Sequence, residues 1–325
     1  MTTLVTGAGG FIGSHVVETL LAMGRKVRAL VHYNGAGRRG FLDEINIKTR
    51  GRLEIVAGDV RDPHQMARMV QGCDTVLHLA ALIAIPYSYH AAASYVETNV
   101  QGTLNVLEAC RREGVKRVVV TSTSEVYGTA QSVPMTELHP LQAQSPYAAS
   151  KIGADQLALS YYRSHGVPVV VLRPFNTYGP RQSARAVLPT ILSQILSRRS
   201  TVTLGSLTPR RDLTFVTDTA RAFVAALDKK GIEGEVIHFG QGSAVSVGEL
   251  ADLCFSVLKK KGRLVTAGGR VRPSKSEVDL LLCDATKARE KLGWEPRVSL
   301  EDGVRRTAVY IQNNLGSYRP DEYAL

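Results

Sequence analysis

The chain has 325 residues, 44% apolar and 21% charged. That length sets an expectation of about two domains or one large α/β unit, and the composition excludes wholesale disorder and fibrous repeats. Lys and Arg outnumber Asp and Glu by 40 to 29, a net charge of +11. The excess is local: residues 181–214 hold six Arg and one Asp, and residues 255–275 hold seven Lys or Arg and no acid. The rest of the chain is therefore close to neutral. With one Trp and no recognisable nucleic-acid motif, nucleic acid is not the expected partner. No apolar run approaches the ~18 residues of a membrane span and the N-terminus lacks a signal pattern, so a soluble, cytoplasmic protein is expected. Cys73, Cys110, Cys254 and Cys283 stand singly and read as buried small hydrophobes, without a disulfide framework or a zinc site.

In chain order, a short strand ends at Thr6 and residues 11–23 read as a helix. Apolar or β-branched runs at 27–31, 53–56, 75–79, 118–121 and 167–172 alternate with helical patterns at 63–71, 91–113 and 146–164. Continuous apolar strands separated by helices predict a parallel sheet covered on both faces, with ligands beyond the C-terminal strand ends. After Pro174 the rhythm loosens; residues 215–228 read as a helix and 235–239 as one more strand. The expected fold is thus an α/β, doubly wound parallel sheet at 1–173 and 215–240. A smaller C-terminal lobe is expected at 174–214 and 241–315, with 316–325 as a loosely held tail. Met66, Met69 and His78 read as packing residues, and Trp294 as an anchor of the small lobe.

The first motif, Gly7-Ala8-Gly9-Gly10-Phe11-Ile12-Gly13, is a GxxGxxG loop between strand and helix. Its glycines permit a tight turn and close backbone approach to a pyrophosphate at the helix N-terminus, which makes Gly7, Gly10, Phe11, Ile12 and Gly13 candidate dinucleotide contacts. Val31 stands where an acid would hold a free ribose 2′-hydroxyl, while His32, Arg38 and Arg39 could meet a 2′-phosphate, so NAD and NADP both remain open. Asp59, followed by Val60, ends the third strand as a candidate adenine contact. Tyr147 and Lys151 lie four apart on one helical face, where an ammonium lowers a phenol and makes it a usable base. Ser122 and Thr123 end the preceding strand and offer a hydroxyl to the same substrate oxygen.

These motifs resemble those of the extended short-chain dehydrogenase/reductases that act on nucleotide sugars. The likeness also covers His78-Leu79-Ala80-Ala81, Asn99-Val100-Gln101-Gly102-Thr103, Arg173 to Pro180, Arg211 to Asp218, and Arg272-Pro273. It implies a Rossmann domain with resident NAD(P), a C-terminal lobe for a nucleotide diphosphate sugar, and a homodimer. Leu79, Ala80, Ala81 and Asn99 would join the cofactor contacts. Asn176, Arg211, Arg272 and Glu277 would meet the diphosphate and ribose of the substrate. At Thr123-Ser124-Glu125, related 4,6-dehydratases carry Thr-Asp-Glu, with the Asp protonating the departing 6-hydroxyl and the Glu removing H5. Here the Glu is kept and Ser replaces the Asp. Thr123, Ser124, Glu125, Tyr147 and Lys151 are accordingly the candidate catalytic set. Residues 81–89, 144–151, 180–186 and 272–278 resemble dehydratases of the legionaminic-acid type, which act on nucleotide-activated N-acetylglucosamine. A glucuronate decarboxylase, which also carries Thr-Ser-Glu and needs a cation such as Arg181 or Arg185 for the sugar carboxylate, is an alternative. A 4-epimerase and a cofactor-binding redox sensor are the others.

Overall fold

The computed structural model describes residues 1–45, 49, 51–197, 201–268 and 273–320. The first half runs β1 (Thr2–Thr6), α1 (Phe11–Ala22), β2 (Lys26–His32), β3 (Leu53–Gly58), α2 (Pro63–Val70) and β4 (Thr75–His78). Two single turns, α3 (Ile85–Ser88) and α4 (Ala92–Tyr95), lead through a π-helical segment (Val96–Gln101) into α5 (Gly102–Glu113). β5 (Arg117–Thr121), a 3-10 turn (Ser124–Tyr127), α6 (Pro146–His165) and β6 (Val169–Pro174) follow. Beyond them come β7 (Asn176–Tyr178), α7 (Val187–Leu196), β8 (Thr201–Leu204), β9 (Arg210–Phe215), α8 (Val216–Asp228) and β10 (Val236–Phe239). The chain continues through β11 (Ala244–Ser246), α9 (Val247–Leu258), β12 (Arg263–Thr266), β13 (Leu280–Leu281), α10 (Thr286–Leu292), α11 (Leu300–Asn313) and α12 (Leu315–Tyr318).

The principal sheet has seven parallel strands in the order β10-β6-β5-β4-β1-β2-β3. This is a Rossmann-type sheet. Strand order reverses between β1 and β4, so the loops after Thr6 and His78 diverge to opposite faces and leave a crevice at their C-terminal ends. Leu4, Val5, Val76, Leu77, Val118 to Val120 and Val169 to Leu172 are fully buried, as strands covered on both faces must be. Ser145 caps α6, accepting from the Ala148 N–H at 3.1 Å, and Pro146 occupies the first turn where its missing N–H costs nothing. His78 is locked between the Thr6 hydroxyl at 2.8 Å and the Thr103 hydroxyl at 3.0 Å, and burial pulls its pKa down to about 3.

Residues beyond β6 build a second layer. β9 is flanked by β11, β13 and β7, β8 pairs with β12, and a separate core gathers Leu188, Ile191, Leu192, Val202, Leu250 and Ile311. β10 returns to the edge of the principal sheet beside β6. Two expectations need correction. Trp294 packs on Phe239 at 5.2 Å, in the core of the principal sheet, because its indole N–H reaches the Asp218 carbonyl at 2.8 Å at the start of α8. Tyr318, in the stretch expected to be a loose tail, is buried against the second core. All four cysteines are free and buried. Among the described residues no helix is long and apolar enough to cross a membrane.

The carboxylate of Asp218 is fully enclosed. It accepts from the Arg297 and Val298 N–H groups at 2.8 and 3.0 Å and from Arg221 at 2.7 Å, pinning the segment after Trp294 to α8. Asp218→Ala removes the acceptor of two part-buried backbone donors and of Arg221, bonds to a charged group worth ~1.5–3 kcal/mol each. We expect a loss of about 3 kcal/mol, read as a urea midpoint lower by about 1 M; a parental midpoint would contradict this account of the junction.

Candidate active site

One cavity of ≈ 1370 Å³ lies between the C-terminal edge of the principal sheet and the second layer. Pockets for one small ligand are usually ~300–1,000 Å³, so the space suits two extended ligands end to end. Gly7, Gly9, Gly10 and Gly13 form its floor with Phe11 and Ile12. Gly7 has φ +68°, and a Cβ there would lie 2.7 Å from the Ala80 nitrogen. A Cβ on Gly13 would lie 2.2 Å from the Gly7 carbonyl oxygen. The loop is therefore a cradle that side chains would fill. No side chain caps α1, whose N-terminus opens on this cradle. Anions are stabilised at such an end by the helix dipole and the unpaired N–H groups.

At one end of the cradle, Val31, His32, Arg38, Asp59 and Val60 line the wall. Asp59 is held by Arg61 at 2.6 Å, which draws its carboxyl below the usual range. Leu79, Ala80 and Ala81 form the facing edge. Asn99 does not line the cavity. Its buried side chain accepts from the Leu82 N–H and donates to the Leu82 carbonyl and the Ser150 hydroxyl, each at 2.9 Å, so it shapes the 79–82 strand end from behind.

At the other end stand Thr123, Ser124, Glu125, Tyr147 and Lys151. Thr123 begins the 3-10 turn and accepts from the Glu125 N–H at 3.2 Å, which leaves its own hydroxyl proton for another acceptor. Tyr147 and Lys151 project from the first turns of α6 and are both buried. The expected lowering of the phenol is not what the protein alone shows. Burial raises the Tyr147 pKa, the Thr123 hydrogen bond works against it, and the charge of Glu125 adds to the rise. Burial also lowers the Lys151 pKa, to about 8. In the protein alone burial therefore disfavours the phenolate, and a cation placed in the cavity would act in the opposite sense.

Asn176, Arg185, Arg211 and Glu277 line the side contributed by the second layer, with Arg211 3.4 Å from Glu277. Among the cavity residues, Thr121, Asn176 and Gln182 each bury a side-chain oxygen that carries no hydrogen bond. Arg181 is elsewhere. It adopts φ +70° and spends its guanidinium on Glu18, at 2.8 and 2.9 Å, and on Glu44 at 3.3 Å, so two carboxylates hold it away from the cavity. Arg272 lies outside the described residues. Sequence reasoning missed Asp155 and Tyr95. Asp155 continues the i,i+4 series of Tyr147 and Lys151 and was legible from that spacing; the Tyr95 ring packs edge-on to Tyr147 at 6.2 Å, a contact no local pattern encodes.

A family model described as GDP-mannose 4,6 dehydratase matches residues 4–307. A dTDP-glucose 4,6-dehydratase of an Actinoplanes species is 34% identical over 319 residues, covering 97% of this chain and 98% of that protein. The crystal structure of a dTDP-glucose 4,6-dehydratase from Streptomyces venezuelae with NAD and TYD bound is 35% identical, with a TM-score of 0.87 over 99% of this chain and 100% of the other. A UDP-glucuronic acid 4-epimerase from Bacillus cereus, in complex with UDP-glucuronic acid and NAD, is 30% identical with a TM-score of 0.88 over 97% of this chain and 100% of the other. The chain belongs to the GDP-mannose 4,6 dehydratase family of extended short-chain dehydrogenase/reductases.

Proposed function

We propose that the protein is a nucleotide-sugar 4,6-dehydratase with bound NAD(P), acting on a nucleotide-activated N-acetylglucosamine. The observation that carries the reading is the meeting of Tyr147, Thr123 and Glu125 in one cavity, where Glu125 adds a second base to a site otherwise sufficient for chemistry at C4 alone. The glycine cradle and the uncapped α1 fit a dinucleotide, held by Gly7, Gly10, Phe11, Ile12, Gly13, His32, Arg38, Asp59, Val60, Leu79, Ala80 and Ala81. Bound in its oxidised form, NAD(P) supplies a positive ring and a two-electron acceptor that takes up the C4 hydrogen and returns it later.

Tyr147, as phenolate, removes the proton of the sugar 4-hydroxyl, and the Thr123 hydroxyl donates to the same oxygen. The C4 ketone makes H5 acidic, and Glu125 takes it. Ser124 has no proton acidic enough to release the 6-hydroxyl at neutral pH. Glu125, now protonated, delivers its proton to the leaving oxygen and water departs from C6; with the C4 hydrogen returned to C6, a proton from solvent would complete C5 and leave a 4-keto-6-deoxy sugar. Arg211, Asn176 and Glu277 hold the diphosphate and ribose: the Arg211 guanidinium suits the diphosphate, and the buried Asn176 carbonyl oxygen, which carries no hydrogen bond, is an acceptor for a hydroxyl of the ligand.

The acetamido group is supported by the apolar run Leu82, Ile83, Ala84, Ile85 and Pro86 that walls the cavity, two of whose members pack with Tyr95 around Tyr147. A homodimer is part of the proposal, and α6 and the π-helical segment leave Tyr162 and Val96 exposed. A second reading, action on a nucleotide glucuronate, is favoured by Arg185, a cavity cation close enough to act on Tyr95 beside the catalytic end.

Mass spectrometry of products from a panel of nucleotide sugars tests the assignment. We expect one product lighter by one water from an N-acetylglucosamine substrate. Loss of carbon dioxide from a glucuronate, an epimer of unchanged mass, or no conversion at all would each overturn it. Tyr147→Phe should cut kcat/KM at least about a hundredfold, the scale of a lost general base; parental turnover would remove Tyr147 from the mechanism.

A further inference from the structure

Asp155 lies one turn beyond Lys151, in the series Tyr147, Lys151, Asp155 along a single face of α6. It is completely buried. Three donors converge on its Oδ2: the Ser122 hydroxyl at 2.6 Å and the Arg173 Nε and Nη2 at 3.1 and 2.9 Å. Its Oδ1 is buried and accepts no hydrogen bond. Arg173 also donates to the Tyr127 hydroxyl at 3.1 Å, and that hydroxyl pairs with His238 Nδ1 at 3.1 Å, so the network runs from the cavity wall at Ser122 to the sheet edge.

We propose that Asp155 is a positioning residue that holds the Lys151 ammonium charged inside a dry site, its single negative charge shared between Lys151 and Arg173. The proposal rests on the reading of Tyr147 and Lys151 as the proton-handling pair. Among the described residues, the other elements packed on α6 bring no rival anion that acts on Lys151. β6 brings Arg173, α4 brings Tyr95, and the turn Ser124–Tyr127 brings Tyr127 and Glu125, the last acting on Tyr147. Glu108 of α5 is tied to Tyr161 and Arg111 further along α6, and Glu97 of the π-helical segment is paired with Arg61. α3 brings Tyr87, which packs on Tyr95. His78 of β4 stays neutral, under burial and the Lys151 charge. Among the described residues Asp155 is the one that opposes the burial that brings Lys151 to about 8.

The test is the pH dependence of Lys151 modification by a small amine-selective electrophile, followed by peptide mass spectrometry on the whole protein. Only the neutral amine reacts, so labelling in the parent rises through about 8. In Asp155→Asn the midpoint should fall by about one unit, which at pH 7 is roughly fivefold more labelling. In Arg173→Gln the midpoint should rise, because the carboxylate then serves Lys151 alone. General loosening admits water and raises the midpoint, so the fall in Asp155→Asn with parental circular dichroism is the deciding result and the rise in Arg173→Gln accompanies it. An unmoved midpoint in a folded variant overturns the proposal. Tyr147→Phe assayed alongside separates the two claims: parental turnover there with shifted labelling midpoints would sink the reaction and leave the role of Asp155 standing.

Discussion

The site depends first on how closely two stretches of backbone pass at Gly7 and Gly13. With a Cβ at either position meeting backbone within 2.7 Å, α1 could not begin where it does against β1 and the strand end at Ala80. That contact fixes the open end of α1 beneath the crevice where strand order reverses. The crevice in turn lies within reach of residues that end β4, β5 and β6, and the second layer closes over it from β7 and β9. The site is therefore built from strand ends and from the first turns of α6, which bring Tyr147 and Lys151, over a sheet whose interior contributes packing.

The second constraint is dryness. Tyr147 and Lys151 are buried, and burial moves both away from the charged forms that proton transfer needs. The protein answers this with charges placed at distinct positions. Asp155 acts on Lys151 from one turn along the helix, and the Thr123 hydroxyl acts on the phenol. A cationic ligand ring would complete the set. The cost of burying Asp155 is met by Arg173 and Ser122, so the device extends well behind the cavity wall.

Much of this was legible in the sequence because it is local. The glycine loop, the Tyr147–Lys151 spacing and the triplet Thr123-Ser124-Glu125 each lie within a few residues, and the strand–helix alternation outlined the principal sheet. What escaped depends on contacts far apart in the chain. Arg181 looked like a ligand for an anion, but Glu18 and Glu44 reach it first across more than a hundred residues. Asn99, expected among the cofactor contacts, instead holds Leu82 and Ser150 from behind the cavity edge. Trp294 belongs to the core of the principal sheet because Asp218 captures its N–H. Spacing reports which residues share an element; it does not report which partner arrives first.

The central claim is that Glu125 carries the chemistry past C4. Its most direct test is incorporation of solvent deuterium at C5 of the sugar, comparing the parent with Glu125→Gln in heavy water. The account predicts one solvent deuteron in the parental product and a loss of incorporation by roughly 10²–10⁴-fold in the variant, the usual worth of a positioned base. Incorporation at the parental rate in Glu125→Gln would contradict it and return the site to chemistry at C4 alone.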